Sequence, residues 1–452
     1  MPHLTPPTVD SIKMPPSIPS SDNAHWIHRD AKVLAPCNDR TPPIALTHGH
    51  GSTLWDADGR AYLDMHASLA VMAVGHTHPA VVEAISTQAQ RLTHCSSTDF
   101  THPTQVELAE RLTALVPWMN QPQVCFTLGG ADSVEAGLKL ARLATGRSAI
   151  VCFSGGFHGR SAAALSVTSS KLHYKHGAGG GLSQVYTAPY PYPPAEEAHT
   201  ASQARLEQLA HEALYYLETQ VFQHHVAPND IAAFIIEPIQ GEGGYRQAHP
   251  CFYTGLQALA RRYGILFMVD EVQTGLGRTG QWWASHGGLG LEPDMVLCAK
   301  GLASGLPLGA VLASKALFKH FYPMAHASTF TANPMACAAA LATLTIIEQD
   351  HLLTNARTQG ERLYQGLQSL PSVHPETVQV VRGGWGLMAA VEYHLPHARD
   401  TVLHRLAHEE RILTVGCGRK SLRLCPPLNI QPHEIDRTLE ALHRVSIHIH
   451  PA

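Results

Sequence analysis

The sequence of 452 residues lacks the compositional biases of disordered, membrane-spanning or disulfide-rich proteins. Only 15% of the residues are charged and the formal net charge is -4, so neither nucleic acid nor an anionic membrane is expected as a partner. The longest apolar runs fall short of the roughly 20 residues that a membrane-spanning helix needs. The nine cysteines include no C-x-x-C pair, which argues against zinc and disulfide frameworks and favours reduced thiols in the cytoplasm.

The beginning of the sequence lacks the signals of a targeting segment. Residues 1–40 are rich in Pro and Ser, contain no apolar stretch of the secretory kind and have few arginines. We therefore predict a flexible N-terminal arm over residues 1–40. The 31 histidines are spread along the chain without clustering, and we predict no metal site from them.

Two short apolar runs in the second half of the sequence each end in an ionisable residue. Ile265–Val269 is followed by Asp270, and Met295–Ala299 by Lys300; both runs have the length of buried parallel strands. The Lys300 amine could simply extend into solvent. Alternatively, it could bond to a carbonyl cofactor as a Schiff base while Asp270 keeps the cofactor's ring nitrogen protonated. Neither residue alone decides between these interpretations.

Other motifs are ambiguous when each is considered by itself. Gly129 and Gly130 precede a predicted helix whose first amide groups could bind a phosphate, although many strand-to-helix turns look the same. The run AIVCFSGGFHGRSAAALSVT at 149–168 is predicted as strand, turn and strand. Within it, Phe157 could be a core aromatic and Arg160 a solvated loop charge. His76 and His78 could be metal ligands, but no third ligand lies nearby in the sequence.

Two further segments carry possible functional groups. Glu237 and Glu242 follow a predicted buried strand closely enough to act as an acid and base pair. The sequence from Ala45 alternates apolar and polar residues around an Asp-Ala-Asp-Gly turn, which predicts a β-hairpin.

Together these motifs resemble the class III aminotransferases, which depend on pyridoxal phosphate and have fold type I. The resemblance rests on DEVQTGLGRTG, which begins at Asp270, AKGLASGLPLGA around Lys300, GHTHP and TFTANP, which occur in the family's order within residues 45–445. It implies an α/β fold with a mostly parallel sheet in a large domain and a small α+β domain built from both chain ends. The implied boundaries are 41–75 for the N-terminal part of the small domain, 76–335 for the large domain and 336–452 for the C-terminal part.

The resemblance also implies roles for individual residues around pyridoxal 5'-phosphate. Lys300 and Asp270 would be catalytic, and Arg160, Glu242 and Arg423 would bind the substrate, with Glu242 pairing with an arginine. The cofactor would be held by Gly130, Ala131, Phe157, His158, Glu237, Asp270, Gln273 and Lys300, together with Thr329 from the neighbouring subunit of a homodimer. The family usually has Ser-Gly-Thr or Ser-Gly-Ala where this chain has Gly-Gly-Ala, so backbone amides are expected to bind more of the phosphate.

The implied reaction is the transfer of an amino group by a ping-pong mechanism. The expected donor is an ω-amino acid or a related amine, as in 4-aminobutyrate and ornithine aminotransferases, and the acceptor is a 2-oxo acid. We expect a cytoplasmic homodimer whose partners are small molecules, not nucleic acid or a membrane. An amino-acid racemase or epimerase on the same fold is the alternative.

Overall fold

The computed structural model describes residues 22–447 and 449, except residues 39, 179, 180, 195, 196 and 199. The helices are α1 (Asn23–Val33), α2 (Ala67–Ala70), α3 (Pro79–Arg91), α4 (Pro103–Ala114), α5 (Gly130–Thr145), α6 (Ala162–Val167), α7 (Gln203–Tyr216), α8 (Pro250–Tyr263), α9 (Lys315–Phe318), α10 (Pro334–Gln349), α11 (Leu352–Leu367), α12 (Leu370–Val373), α13 (Pro396–His408) and α14 (Pro432–Val445). The strands are β1 (Leu46–His50), β2 (Thr53–Asp56), β3 (Ala61–Asp64), β4 (Pro122–Thr127), β5 (Ala149–Phe153), β6 (Val185–Ala188), β7 (Ile231–Ile236), β8 (Leu266–Asp270), β9 (Met295–Cys298), β10 (Gly309–Ser314), β11 (Val378–Arg382), β12 (Ala389–Tyr393), β13 (Ile412–Leu413), β14 (Val415–Cys417) and β15 (Ser421–Leu424). Short 3-10 turns occur at Leu172–Tyr174, Pro228–Asp230 and Lys300–Leu302, and π-helical segments at Leu217–His225 and Ala284–Gly288.

The main sheet has seven strands in the order β4-β10-β9-β8-β7-β5-β6. β10 pairs antiparallel with both of its neighbours, and the other pairs are parallel. β7 is buried along its whole length because both faces of the sheet are covered by helices. Phe234 and Ile236 pack toward α7 and α8, whereas Ala233 and Ile235 pack toward α5 and α6. The mostly parallel α/β sheet predicted from the sequence is confirmed.

The chemically important residues follow the carboxyl ends of these parallel strands. Asp270 is the last residue of β8, Lys300 comes two residues after β9, Glu237 directly follows β7, and Phe157 lies in the loop after β5. Because the carboxyl ends of parallel strands meet at one edge of a sheet, these side chains converge there.

Two smaller sheets of four strands complete the fold. One has the order β1-β2-β3-β13 and the other β11-β12-β15-β14. In the first, Leu63 of β3 pairs in parallel with Ile412 of β13, so the sheet combines both ends of the chain, as predicted. The predicted domain boundaries stay predictions. Of the predicted N-terminal arm, residues 1–21 lie outside the described part, and the remainder contains α1, which has no buried residue.

The β-hairpin predicted from Ala45 is confirmed by strands β1 to β3. At the turn between β2 and β3, Asp56 Oδ1 accepts hydrogen bonds from the amides of Asp58 (3.0 Å) and Arg60 (2.8 Å). Gly59 has a φ of 77°, which glycine adopts without steric cost.

The second strand predicted in the run at 149–168 is wrong, because residues 162–167 form the helix α6. Its alanine-rich sequence favours a helix. In addition, the first-turn amides of Ala163 and Ala164 donate to Glu135 Oε1 on α5, at 2.9 and 3.3 Å. This contact between distant residues gives no local sequence signal.

The segment α2 has an unusual backbone, since Ala67, Ser68, Leu69 and Ala70 have φ values of 48°, 50°, 66° and 65°. Asp64 Oδ1 holds its beginning by accepting the amides of His66 (2.9 Å) and Ala67 (2.8 Å). The segment is therefore a left-handed turn made without glycine, a conformation that costs about 1–2 kcal/mol per residue.

Within the described residues, no helix combines the length and apolar character needed to cross a lipid bilayer.

Candidate active site

A cavity of about 280 Å³ lies at the edge of the main sheet where the parallel strands end. Nine of the residues predicted for the site line it, together with Gly159 and Val272. The nine are Gly130, Ala131, Phe157, His158, Arg160, Glu237, Asp270, Gln273 and Lys300. The structure thus brings together residues that are as much as 170 positions apart in the sequence.

Lys300 begins a 3-10 turn that is separated from β9 by Ala299, and it has a left-handed φ of 42°. Burial lowers the pKa of its amine, and the nearby Arg423 guanidinium lowers it further, while Glu242, Asp270 and Glu237 act in the opposite direction. The net shift favours the neutral amine, which is the form that attacks a carbonyl and accepts a proton.

Asp270 is held in place from two directions. His158 Nδ1 lies 2.7 Å from Asp270 Oδ2, and the amide of Val272 donates to Oδ1 at 3.0 Å. Burial alone would lower the pKa of His158, but Asp270 and Glu237 raise it above its ordinary value. The site therefore contains a buried pair in which the Asp270 carboxylate favours the charged form of the His158 imidazole. The sequence placed His158 beside the cofactor but did not predict this partnership.

Glu237 and Gln273 are fixed by neighbouring loops. Glu237 accepts the amides of Phe157 and Gly241, each at 2.8 Å, and burial raises the pKa of its carboxyl to about 7. Gln273 Oε1 accepts the Tyr245 hydroxyl at 2.8 Å, which orients its amide. A Cβ on Gly241 would lie 2.2 Å from Gln273 Nε2, so a larger residue at this position would push the Gln273 amide aside.

The N-terminus of α5 forms another wall of the cavity. Gly129 is the N-cap residue of the helix and has no side chain, so it cannot accept a hydrogen bond from the amides of the first turn. A helix N-terminus of this kind attracts anions through its amides and dipole. A Cβ on Gly130 would lie 2.8 Å from Val272 Cγ1, which explains the glycine at this position.

These groups fit pyridoxal phosphate. A neutral lysine amine suits its aldehyde, a fixed carboxylate suits its ring nitrogen, and the helix N-terminus suits its phosphate.

The predicted substrate residues lie beside this cavity. The guanidinium of Arg423, on β15, is 2% exposed and forms an ion pair from Nη2 to Glu242 Oε1. Arg423 Nη1 has no hydrogen-bond partner among the described residues. The guanidinium carbon of Arg160 lies 5.2 Å from the ring centre of Tyr174, whose hydroxyl donates to Glu242 Oε2 at 3.3 Å.

Glu242 also has a partner that the sequence analysis missed. Lys171 Nζ lies 3.5 Å from Glu242 Oε2. Neither Lys171 nor Tyr174 belongs to a recognisable sequence motif, and they approach Glu242 only because the loop after α6 folds over the β7 loop. Glu237 and Glu242, which the sequence left open as an acid and base pair, are held by separate groups, and that alternative stays a prediction.

Three predicted site residues do not line this cavity. Glu242 and Arg423 lie beside it, and Thr329, which is predicted to reach the phosphate of the neighbouring subunit, lies apart from it. Thr329 is exposed on a turn before α10 and is absent from the described cavity lining.

The two histidines considered as metal ligands have other contacts. His76 Nε2 lies 2.6 Å from Asp64 Oδ2, and His78 Nδ1 accepts the amide of Ala80 at the start of α3.

Comparison with known proteins identifies the family. Residues 34–446 match the family model described as aminotransferase class-III. The chain is 34% identical to the 4-aminobutyrate aminotransferase GabT of Escherichia coli, covering 93% of this chain and 98% of that protein. It is 39% identical to an acetylornithine aminotransferase of Corynebacterium efficiens, covering 89% and 92% of the two chains.

A solved structure gives the same result. The amine transaminase from an uncultivated Pseudomonas species, in its PLP-bound form, superimposes with a TM-score of 0.82 at 30% identity, over 91% of this chain and 97% of that one. The chain therefore belongs to the class III aminotransferases, enzymes that use pyridoxal phosphate to transfer amino groups.

Proposed function

We propose that this enzyme takes the amino group from an ω-amino acid or a related amine that carries a distal carboxylate, and passes it to a 2-oxo acid. The observation that carries this proposal is the buried Arg423–Glu242 ion pair beside Arg160. Two arginines for carboxylates, one of them neutralised by a glutamate, suit a pocket that must accept two differently charged substrates in turn.

The chain's own residues have distinct tasks in this reaction. Bound pyridoxal phosphate would supply an aldehyde that accepts the amino group and a ring that accepts the electron pair of the broken C–H bond. Lys300 would hold the aldehyde until the donor's amine displaces it. Its freed Nζ, whose pKa is lowered, would then take a proton from the substrate carbon and deliver it to the carbon of the former aldehyde. Asp270, supported by His158, would keep the ring nitrogen protonated, and the amides of Gly130 and Ala131 would bind the phosphate.

The substrate is positioned by its carboxylate groups. For a donor with a distal amine, Arg160 would bind the carboxylate while Glu242 stays paired with Arg423. For L-glutamate or its 2-oxo acid, Glu242 would release Arg423, whose guanidinium would then bind the α-carboxylate. A planar guanidinium suits this task because it can donate two parallel hydrogen bonds.

Opposite effects of two substitutions test this proposal. In Arg423→Ala, the half-reaction with L-glutamate should lose a charge-assisted pair of roughly 1.5–3 kcal/mol, or about one to two decades in rate. The half-reaction with 4-aminobutyrate should change far less. Glu242→Ala should impair 4-aminobutyrate and spare L-glutamate, because an uncovered Arg423 would bind the donor's carboxylate in the wrong position. Single-turnover spectroscopy of the cofactor measures both half-reactions, and equal loss for both donors in each variant would contradict the proposal.

A separate measurement addresses the racemase or epimerase alternative. The enzyme is incubated with one L-amino acid and no 2-oxo acid, and the product is analysed on a chiral column. Sustained formation of the D-amino acid under these conditions would favour the alternative. An aminotransferase should instead stop after one turnover per active site.

We also propose that two copies of the chain form a homodimer in the cytoplasm, with Thr329 of each reaching the phosphate of the other. Thr329 is exposed and is followed by Phe330, which is 60% exposed. Phe100, in the adjoining segment, is 69% exposed. Exposed aromatic side chains on two segments that are joined by the hydrogen bond from Ser97 to the Thr331 carbonyl support a covering partner. The cytoplasmic location is supported by the nine cysteines, all of which are free.

A further inference from the structure

We propose that Lys171 and Tyr174 provide a second binding position for the Glu242 carboxylate, into which it moves when a substrate α-carboxylate takes Arg423. Both are positioning residues, since they act on the substrate through Glu242. This inference rests on the proposed function, because it explains how the same carboxylate can leave Arg423 without becoming an unpaired buried charge.

The two oxygens of Glu242 already have different partners. Oε1 is paired with Arg423, while Oε2 faces Lys171 Nζ at 3.5 Å and the Tyr174 hydroxyl at 3.3 Å. The last two distances exceed the usual range of about 2.5–3.2 Å for hydrogen bonds from these donors. A movement of Glu242 toward Lys171 and Tyr174 would shorten both contacts into that range.

The surroundings make this second position effective. The side chains of Glu242 and Lys171 are 14% and 24% exposed, so their attraction is screened less than that of a surface pair. Burial alone would raise the pKa of Glu242, but Arg423, Lys171 and Lys300 lower it to about 2. Glu242 therefore stays ionised and needs a cationic or hydrogen-bonding partner wherever it lies.

Tyr174 connects this position to the other arginine of the pocket. Its ring centre lies 5.2 Å from the Arg160 guanidinium carbon, 5.6 Å from Lys171 Nζ and 5.5 Å from the ring centre of Phe157. Burial raises the pKa of its hydroxyl to about 12, and Glu242 acts in the same direction. The hydroxyl thus keeps its proton and remains a donor to Glu242.

The consequence is a specific effect on substrates that need Arg423. Without Lys171 or the Tyr174 hydroxyl, Glu242 would remain on Arg423, and a substrate α-carboxylate would have to displace it at greater cost. Substrates that leave the ion pair closed would not encounter this cost.

The experiment measures the dissociation constant and maximal rate of the half-reactions of the holoenzyme with L-glutamate and with 4-aminobutyrate. In Lys171→Met and Tyr174→Phe, the dissociation constant for L-glutamate should rise about threefold to tenfold, the value of one net hydrogen bond. The maximal rate should change little, and 4-aminobutyrate should bind as before. Lys171→Arg should restore binding. The matched control is Lys175→Met, because Lys175 lies in the same segment but contacts the carbonyl of Ser166.

A double-mutant cycle provides the readout that a merely structural role would not give. In a Glu242→Ala background, Lys171→Met should not change the dissociation constant for L-glutamate any further, because the carboxylate that Lys171 would bind is absent. Three results would overturn the inference. Lys171→Met could leave the dissociation constant for L-glutamate unchanged, it could weaken both donors equally, or it could have the same effect with and without Glu242. A wild-type enzyme that reacts with L-glutamate but not with 4-aminobutyrate would instead contradict the proposed donor, while the cycle with L-glutamate would still decide the role of Lys171.

Discussion

Lys300 is surrounded by charges of both signs, and their balance decides which form of its amine is stable. Burial and Arg423 favour the neutral amine, and the three carboxylates nearby only partly oppose them. Lys171 and Lys315 lie elsewhere, in a loop and at the start of α9. Among these lysines, Lys300 is the one that lines the cavity and combines a carbonyl-reactive amine with a neighbouring helix N-terminus.

Borohydride reduction of the holoenzyme should therefore fix pyridoxal phosphate to Lys300. Peptide mapping by mass spectrometry locates the adduct, and Lys300→Ala should abolish both the adduct and the half-reactions. Lys315→Ala is the matched control and should retain both. Recovery of the reduced cofactor on Lys171 or Lys315 would contradict the assignment of Lys300 as the residue that binds it.

Glu242 gives a prediction for pH. Its folded pKa of about 2 lies below the ordinary value of 4.5, so its contribution to stability is complete above about pH 4.5 and is lost as the pH falls toward 2. Between pH 5 and pH 3, the free energy of unfolding of the wild type should therefore fall by roughly 2 kcal/mol more than that of Glu242→Gln. Urea titrations at both pH values measure this difference. Glu212→Gln, at a surface position, should behave like the wild type.

The sequence predicts single residues well when a local pattern marks them. Asp270 and Lys300 stand out because an ionisable residue ends an apolar run. Lys171 does not, because nothing in its own segment indicates that it will meet Glu242, 71 residues away. The His158–Asp270 contact spans 112 residues and is equally invisible without the fold.

At the scale of elements, the left-handed turn α2 is the clearest departure from ordinary backbone. Ser68→Gly should relieve the backbone strain that a φ of 50° imposes on a residue with a Cβ. This gain should offset the larger loss of conformational entropy that glycine undergoes on folding. Ser86→Gly is the matched control, because Ser86 is also exposed but lies inside the right-handed helix α3. We expect Ser68→Gly to be neutral or stabilising and Ser86→Gly to cost about 0.5 kcal/mol. Thermal unfolding of both variants measures this, and a larger loss in Ser68→Gly would refute the strain argument.

Elements follow from the sequence where the apolar pattern is long. The strands β7, β8 and β9 were predictable because their runs are continuous and end at turns. The helix α6 was not, because six residues give too little periodicity and its first amides depend on Glu135. The left-handed turn α2 was also not predictable, because it contains no glycine, which is the usual sequence signal for a positive φ.

For the whole molecule, the exposed aromatic side chains beside Thr329 predict the proposed dimer. Phe330→Asp should shift the protein toward a monomer and weaken cofactor retention, because a charge cannot be buried there without a partner. Sedimentation velocity and the cofactor absorbance after dilution measure the two effects. Tyr215→Asp is the matched control, since Tyr215 is 69% exposed on α7. Equal behaviour of the two variants would speak against this interface.

The parallel pairing of β3 with β13 has a consequence for how the chain is made. Leu63 and Ile412 are about 350 residues apart, so the edge of β3 stays uncovered while most of the protein is still being translated. At 5–20 residues per second, the ribosome would need roughly 20–70 seconds to deliver the missing strand. During that time the N-terminal hairpin is a nascent sheet whose β3 edge presents unpaired backbone donors and acceptors.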